Sequence, residues 1–123
     1  MEGLTQKALF DFLDEGILTC RERQKKLQDD DRGDEAIFEK IKENVYDIFK
    51  KMLHAAIRTS GENEPAVKAF FLQKLEEIPS SWALSYEKAA AHDDVKTMHI
   101  EKVKLNVIQE IEAAAARAWE VGK

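Results

Sequence analysis

The sequence predicts an all-α protein, an antiparallel helical bundle of three long helices plus two short helices, and three observations predict it. The stretch from Asp93 to Val121 contains no Gly and no Pro. Its apolar residues Ile100, Val103, Val107, Ile111, Ala114, Ala118 and Val121 recur at steps of three and four, which puts them on one helical face. Across 123 residues there are only five Gly and two Pro, while 35% of the chain is charged, a composition suited to long helices that each keep one wet face. No stretch shows the strict apolar–polar alternation of a half-buried strand.

The first helix is expected from Thr5 to Gln28, with Leu9, Leu13, Ile17, Cys20 and Leu27 on its buried side. Gly16 interrupts that pattern at a cost of about 1 kcal/mol relative to Ala, which suits either a close neighbour or a kink. Asp29 to Gly33 is a linker. A second helix follows from Asp34, a candidate N-cap, to Thr59. Its stripe is Ile37, Ile41, Val45, Ile48, Met52 and Ala56, widened by Phe38, Phe49, Leu53 and Ile57. Gly61 stands where a residue of positive φ is wanted after a helix.

Glu62-Asn63-Glu64-Pro65 opens a third, shorter helix, since Pro is tolerated in a first turn. Val67, Phe70, Phe71, Leu75 and Ile78 form its apolar face. Pro79 is expected to stop it, with Ser80 or Ser81 capping a fourth, short helix through Trp82, Tyr86, Ala89 and Ala90. Asp93 or Asp94 caps the last helix. All of this fits one domain spanning residues 1–123, large enough for a core without disulfides or metal.

Composition narrows the function classes. A net charge of −5 and a pI near 5.3 speak against nucleic acid, whose binders draw affinity from basic groups on phosphates. Cys20 is the single cysteine, so neither an internal disulfide nor a cysteine-based zinc site is expected. Met1 to Ala8 does not read as a signal peptide and no apolar run approaches the roughly 20 residues that span a bilayer. The expectation is a cytoplasmic protein with no membrane partner.

Several motifs invite chemistry, and each has a departure. Asp29-Asp30-Asp31-Arg32-Gly33-Asp34-Glu35 suggests a calcium loop, with Gly33 sixth, Asp30 third and Glu39 twelfth. Gln28 then falls first and Arg32 fifth, and Arg has no acceptor oxygen. His54, His92 and His99 lack the Glu-x-x-His spacing of di-iron bundles, the residues three positions before them being Lys51, Ala89 and Lys96. His99 bears a partial likeness to histidine phosphotransfer domains. Lys102 stands three residues on as their basic neighbour, but Val103 occupies the next position, where they carry a small residue. Cys20 has Arg21 next to it, but adjacent residues on a helix do not face each other, and no activating partner can be named for it. Arg21, Arg23, Lys25 and Lys26 are offset by Glu22 and the following aspartates. No catalytic, cofactor or metal residue is therefore assigned, and no cofactor is expected.

The surplus lies in apolar surface. Met98, Leu105, Ile108, Ala115 and Trp119 form a second strip on the last helix, and Phe71 beside Phe70 poses the same problem. A helix with one buried face does not need both. The strip either makes this helix central to the bundle or meets another chain. The expected function is non-catalytic, through self-association as a homodimer or through docking of a protein partner. The alternatives are a small-ligand regulatory bundle with a pocket walled by Trp82, Tyr86 and Trp119, and phosphotransfer through His99.

Overall fold

The computed structural model describes the backbone of residues 2–121 and the side chains of residues 5–120. It holds four helices: α1 (Glu2–Asp29), α2 (Gly33–Ser60), α3 (Glu64–Ala91) and α4 (Val95–Val121). Their starts at residues 2, 33, 64 and 95 are evenly spaced, and three-residue turns separate them. Equal lengths let the four helices end flush. One end of the bundle carries the α2–α3 turn with the start of α1 and the end of α4. The other carries the α1–α2 and α3–α4 turns, and is called the loop end below.

The antiparallel order can be read from paired residues. Phe10 meets His54, Asp14 meets Lys50 and Arg21 meets Glu43, so position falls along α2 as it rises along α1. The most extensive contacts join α1 to α2 and α3 to α4, while α2 also touches both α3 and α4.

Two of the three turns use the chemistry expected of them. Gly61 has φ +61° and its N–H donates to the Ile57 carbonyl. Asn63 caps α3 by accepting from the Ala66 N–H at 3.2 Å. Asp94 caps α4, its carboxylate accepting from both the N–H and the hydroxyl of Thr97. Asp31 and Asp93 also take positive φ, which Asp tolerates better than most side chains. At α2 the expected cap is displaced: Arg32 holds that position without a side-chain bond, and Asp34 lies in the first turn.

Two expectations are corrected. Pro79 does not end a helix. α3 runs through it to Ala91, so three long plus two short helices become four of nearly equal length. Proline deprives the Leu75 carbonyl of its usual donor, at a cost of about 3 kcal/mol, but the residue is buried and α3 meets α4 on both sides of it, Phe71 at Trp119 before and Trp82 at Lys104 after. Ser80 and Ser81 do not cap; their hydroxyls donate back to the Glu77 and Ile78 carbonyls.

The second correction concerns the rotation of α2. Its buried residues are Ala36, Glu39, Glu43, Val45, Tyr46, Phe49, Leu53 and Ala56. Ile37 is 57% exposed, and Ile41, Ile48 and Met52 are half-buried. Apolar side chains cover so much of this helix that hydrophobicity alone leaves its rotation open. The bond that Tyr46 donates to α4 and those that Glu43 accepts from α1 fix it. The stripes of α1 and α4 lie inward as expected at Leu9, Leu13, Ile17, Cys20, Val103, Val107, Ile111 and Ala114. Val121 lies outside the described side chains.

Candidate functional site

Two of the grooves between helices among the described residues depend on small residues. The first lies between α1 and α4, with α2 as its floor, and has a volume of about 550 Å³. Gly16 makes it possible. A Cβ added there would come within 2.8 Å of the Tyr46 ring, so only Gly lets that ring cross α1. Tyr46 spans the bundle and donates to Glu110 Oε2 on α4 at 2.6 Å. Burial, that hydrogen bond and the Glu110 charge all hold the phenol above its ordinary pKa.

Cys20 lines the same groove but is itself buried. Burial first, then the nearby Glu39 carboxylate, push its thiol up to about 11. At neutral pH it is a neutral thiol, and the thiolate needed for nucleophilic attack is scarce. Gly16, the interruption in the sequence pattern, is a close-approach residue.

Beside this groove, at the loop end, acidic side chains enter the core. Glu43 accepts from Gln24 at 2.7 Å and Arg21 at 3.2 Å, with Lys40 at 3.5 Å. Burial alone would raise its pKa, but those hydrogen bonds and the Lys40 charge outweigh it and leave the carboxyl below its usual value. Glu39 shares one oxygen between Lys42 at 3.3 Å and Arg23 at 3.9 Å. Its other oxygen is buried without a partner, as is Oε2 of Glu101 on α4, whose Oε1 accepts from Lys104. The calcium-loop reading fails on this geometry: its twelfth residue, Glu39, is turned toward Lys42 and Arg23, and the chain is helical from Gly33 onward. No group of three His, Cys, Asp or Glu arranged to hold a metal occurs among the described residues.

The second groove, about 510 Å³, follows the outward seam of α3 and α4. Leu75, Ala115 and Trp119 form its floor, and Leu72 and Ala116 reach its surface. Trp119 is held from behind: its indole N–H donates to Glu64 Oε1 at 2.8 Å, while Gln6 donates to the other Glu64 oxygen at 2.9 Å. One carboxylate thus ties α1, α3 and α4 together. The alanines at 115 and 116 keep the groove open beside the indole.

The six residues of the expected interface divide. Phe71, Ile108, Ala115 and Trp119 belong to the chain's own core, and Phe71 stacks between Phe49 and Trp119 at 6.0 and 5.8 Å. Met98 and Leu105 remain half-exposed on the outside of α4. Sequence reasoning missed Val95, 72% exposed and in line with those two by helical spacing, and Leu72, 39% exposed across the seam. The signal for Leu72 was present in Lys68-x-x-x-Leu72-x-x-x-Glu76, an apolar residue between charges on one helical line.

The remaining candidates are scattered. Trp119 borders the α3–α4 groove, but Trp82 and Tyr86 line neither groove; Lys104 lies over the Trp82 ring at 5.3 Å. His54 stacks on Phe10, and His92 ends α3. His99 is exposed with its ring against Phe38 at 4.4 Å, and Val103 is buried in the bundle. No described helix is long and apolar enough to cross a membrane. Comparison with protein-family models, with curated proteins and with solved structures finds no match to this chain.

Proposed function

We propose that this is a non-catalytic binding protein that acts by joining another protein surface along the outward seam of α3 and α4. The observation that carries the reading is the apolar strip left uncovered there. Val95, Met98 and Leu105 share one face of α4, and beyond Gln109 and Glu112 the groove beside Leu72 and Ala116 lies further along the seam. Large apolar side chains aligned on one face and rimmed by charge are characteristic of association sites. The buried, protonated state of Cys20 and the raised pKa of Tyr46 support a binding role over a covalent one.

Either a protein partner or a second copy of the chain can meet this face. Native mass spectrometry of the wild type, Leu72→Glu and Leu105→Glu tests the second. A multiple of 14.1 kDa that falls to a monomer in both variants, with helicity kept, supports a homodimer through the seam. An oligomer unchanged in both variants removes the seam from consideration. A monomeric wild type leaves the protein-partner branch. Ile108→Glu is the control, expected to unfold because that side chain is core.

A second reading rests on the α1–α4 groove. Its volume falls within the range of small-molecule sites, and Thr19, Asn106 and the Tyr46–Glu110 pair bring polar groups to it. It is the successor to the regulatory-ligand expectation, on different walls.

A further inference from the structure

The charges around the α3–α4 groove say what kind of surface it suits. On α3, Lys68, Leu72 and Glu76 follow one another at intervals of four; on α4, Glu112, Ala116 and Glu120 do the same. Each line covers about 12 Å at roughly 1.5 Å per residue. Because α3 and α4 are antiparallel, with Phe71 beside Trp119 and Trp82 beside Lys104, the two lines meet level by level. Lys68 lies level with Glu120, Leu72 with Ala116, and Glu76 with Glu112. The first level is balanced, the second apolar and the third doubly negative. Among the described residues no ion pair holds Glu76, Glu112 or Glu120, and all three are exposed.

Resting on the association reading above, we infer that the groove takes a basic amphipathic helix of a partner protein. Its apolar anchor sits at the Leu72–Ala116 level, and a Lys or Arg one turn away lies between Glu76 and Glu112. A helix laid in a groove presents side chains three and four residues apart to the floor, which matches this spacing. The doubly negative level sets the direction, because the cation must lie on one side of the anchor only.

A second copy fits less well. A two-fold axis lying in the interface at the Leu72–Ala116 level allows two arrangements. If α3 lies on its counterpart, Lys68 meets Glu76 of the second copy, but Glu112 meets its Glu120. If α3 lies on α4 of the second copy, Lys68 meets its Glu120, but Glu76 meets its Glu112. Each sets a repulsive pair against the attractive one, on a chain of net charge −5.

The test uses two 18-residue amphipathic peptides, one built from Leu and Lys and one from Leu and Glu, titrated into the isotopically labelled full chain. Amide and indole NMR shifts are followed. With the Leu/Lys peptide the expected shifts concentrate at Leu72, Ala116 and the Trp119 indole, and the Leu/Glu peptide leaves them unmoved. Glu76→Lys with Glu112→Lys is expected to weaken binding at least tenfold, and Ala116→Gln, which fills the groove without changing charge, to do likewise.

Shifts centred on Asp29 to Asp31, or binding indifferent to these variants, would overturn the inference as general attraction to an acidic protein. A homodimer dissociated by Leu72→Glu, with no peptide effect on the seam, would also overturn it while sparing the association reading. A wild-type monomer with no shifts at the seam would sink the inference, and an intact Val95–Met98–Leu105 stripe would then be all that supports association. If Leu105→Glu also left every partner interaction of the full chain unchanged, that reading would fall with it.

Discussion

The two ends of the bundle solve the burial problem differently. At the end holding the α2–α3 turn, Leu9, Leu53, Val67, Phe71 and Trp119 are buried, and the Glu64 carboxylate has a donor for each oxygen. At the loop end, Glu39, Glu43 and Glu101 are buried while Ile37, Leu84 and Val95 are 57%, 54% and 72% exposed. Carboxylates go in and aliphatic side chains go out. Partly satisfied buried carboxylates add little to stability and can reduce it. The comparison teaches that one end supplies more of the cohesion, with the Leu72–Ala116 groove on its outer side, while the other exposes aliphatic side chains and orients its helices through polar contacts.

The largest effect should come from opening the cohesive end. Phe71→Ala removes a ring that is fully buried between Phe49 and Trp119. The expected loss is about 3–5 kcal/mol in chemical denaturation. An equivalent cut at the loop end, Ile37→Ala, should change stability by under about 0.5 kcal/mol. Similar losses in the two variants would abolish the contrast.

Midway between the ends, Gly16→Ala should cost up to about 2 kcal/mol, the balance of overpacking at about 1–3 kcal/mol against about 1 kcal/mol of better helix propensity for Ala. The cause would be the contact at 2.8 Å with the Tyr46 ring. In a Tyr46→Ala background the same change should become stabilising. A loss that persists there would mean that something other than the ring excludes the Cβ.

The smallest effects distinguish the buried carboxylates from one another. Glu43→Met should destabilise by about 1–2 kcal/mol, since its hydrogen bonds to charged and amide donors are lost. Glu101→Met should be neutral or slightly stabilising, because one of its oxygens is buried without a partner. The pH dependence follows from the lowered pKa of Glu43. Its stabilisation is complete above the unfolded value, near pH 4.3, and is lost as pH falls through the lower folded value. Hydrogen exchange in acid should therefore quicken first around Gln24 and Glu43 and later around Phe71. Simultaneous quickening would contradict a weaker loop end.

Much of the fold was legible in the residues. The first stripes of α1 and α4 define inward sides, and Gly61 and Asp94 marked turns through local chemistry. What escaped was decided by distant partners. Pro79 reads as a stop because local cost dominates a local reading; α4, packed along both halves of α3, overrides it. The rotation of α2 depends on Tyr46 finding Glu110, 64 residues away. The second strip of α4 was visible as surplus, but its partition needed the position of α3: Ile108, Ala115 and Trp119 turn inward, whereas Met98 and Leu105 do not.

The three-residue turns carry a consequence for how the chain finds this arrangement. Two of them close hairpins, α1 on α2 and α3 on α4, whose partners begin their contact a few residues apart in sequence, and the third joins the hairpins. Little loop entropy is lost before apolar contacts compensate for it. Helical topologies dominated by such nearby contacts fold on microsecond to millisecond scales. The Tyr46–Glu110 bond, by contrast, joins one hairpin to the other across Gly16. Search is short within each hairpin, and the slower docking of the pair has one well-defined register to find.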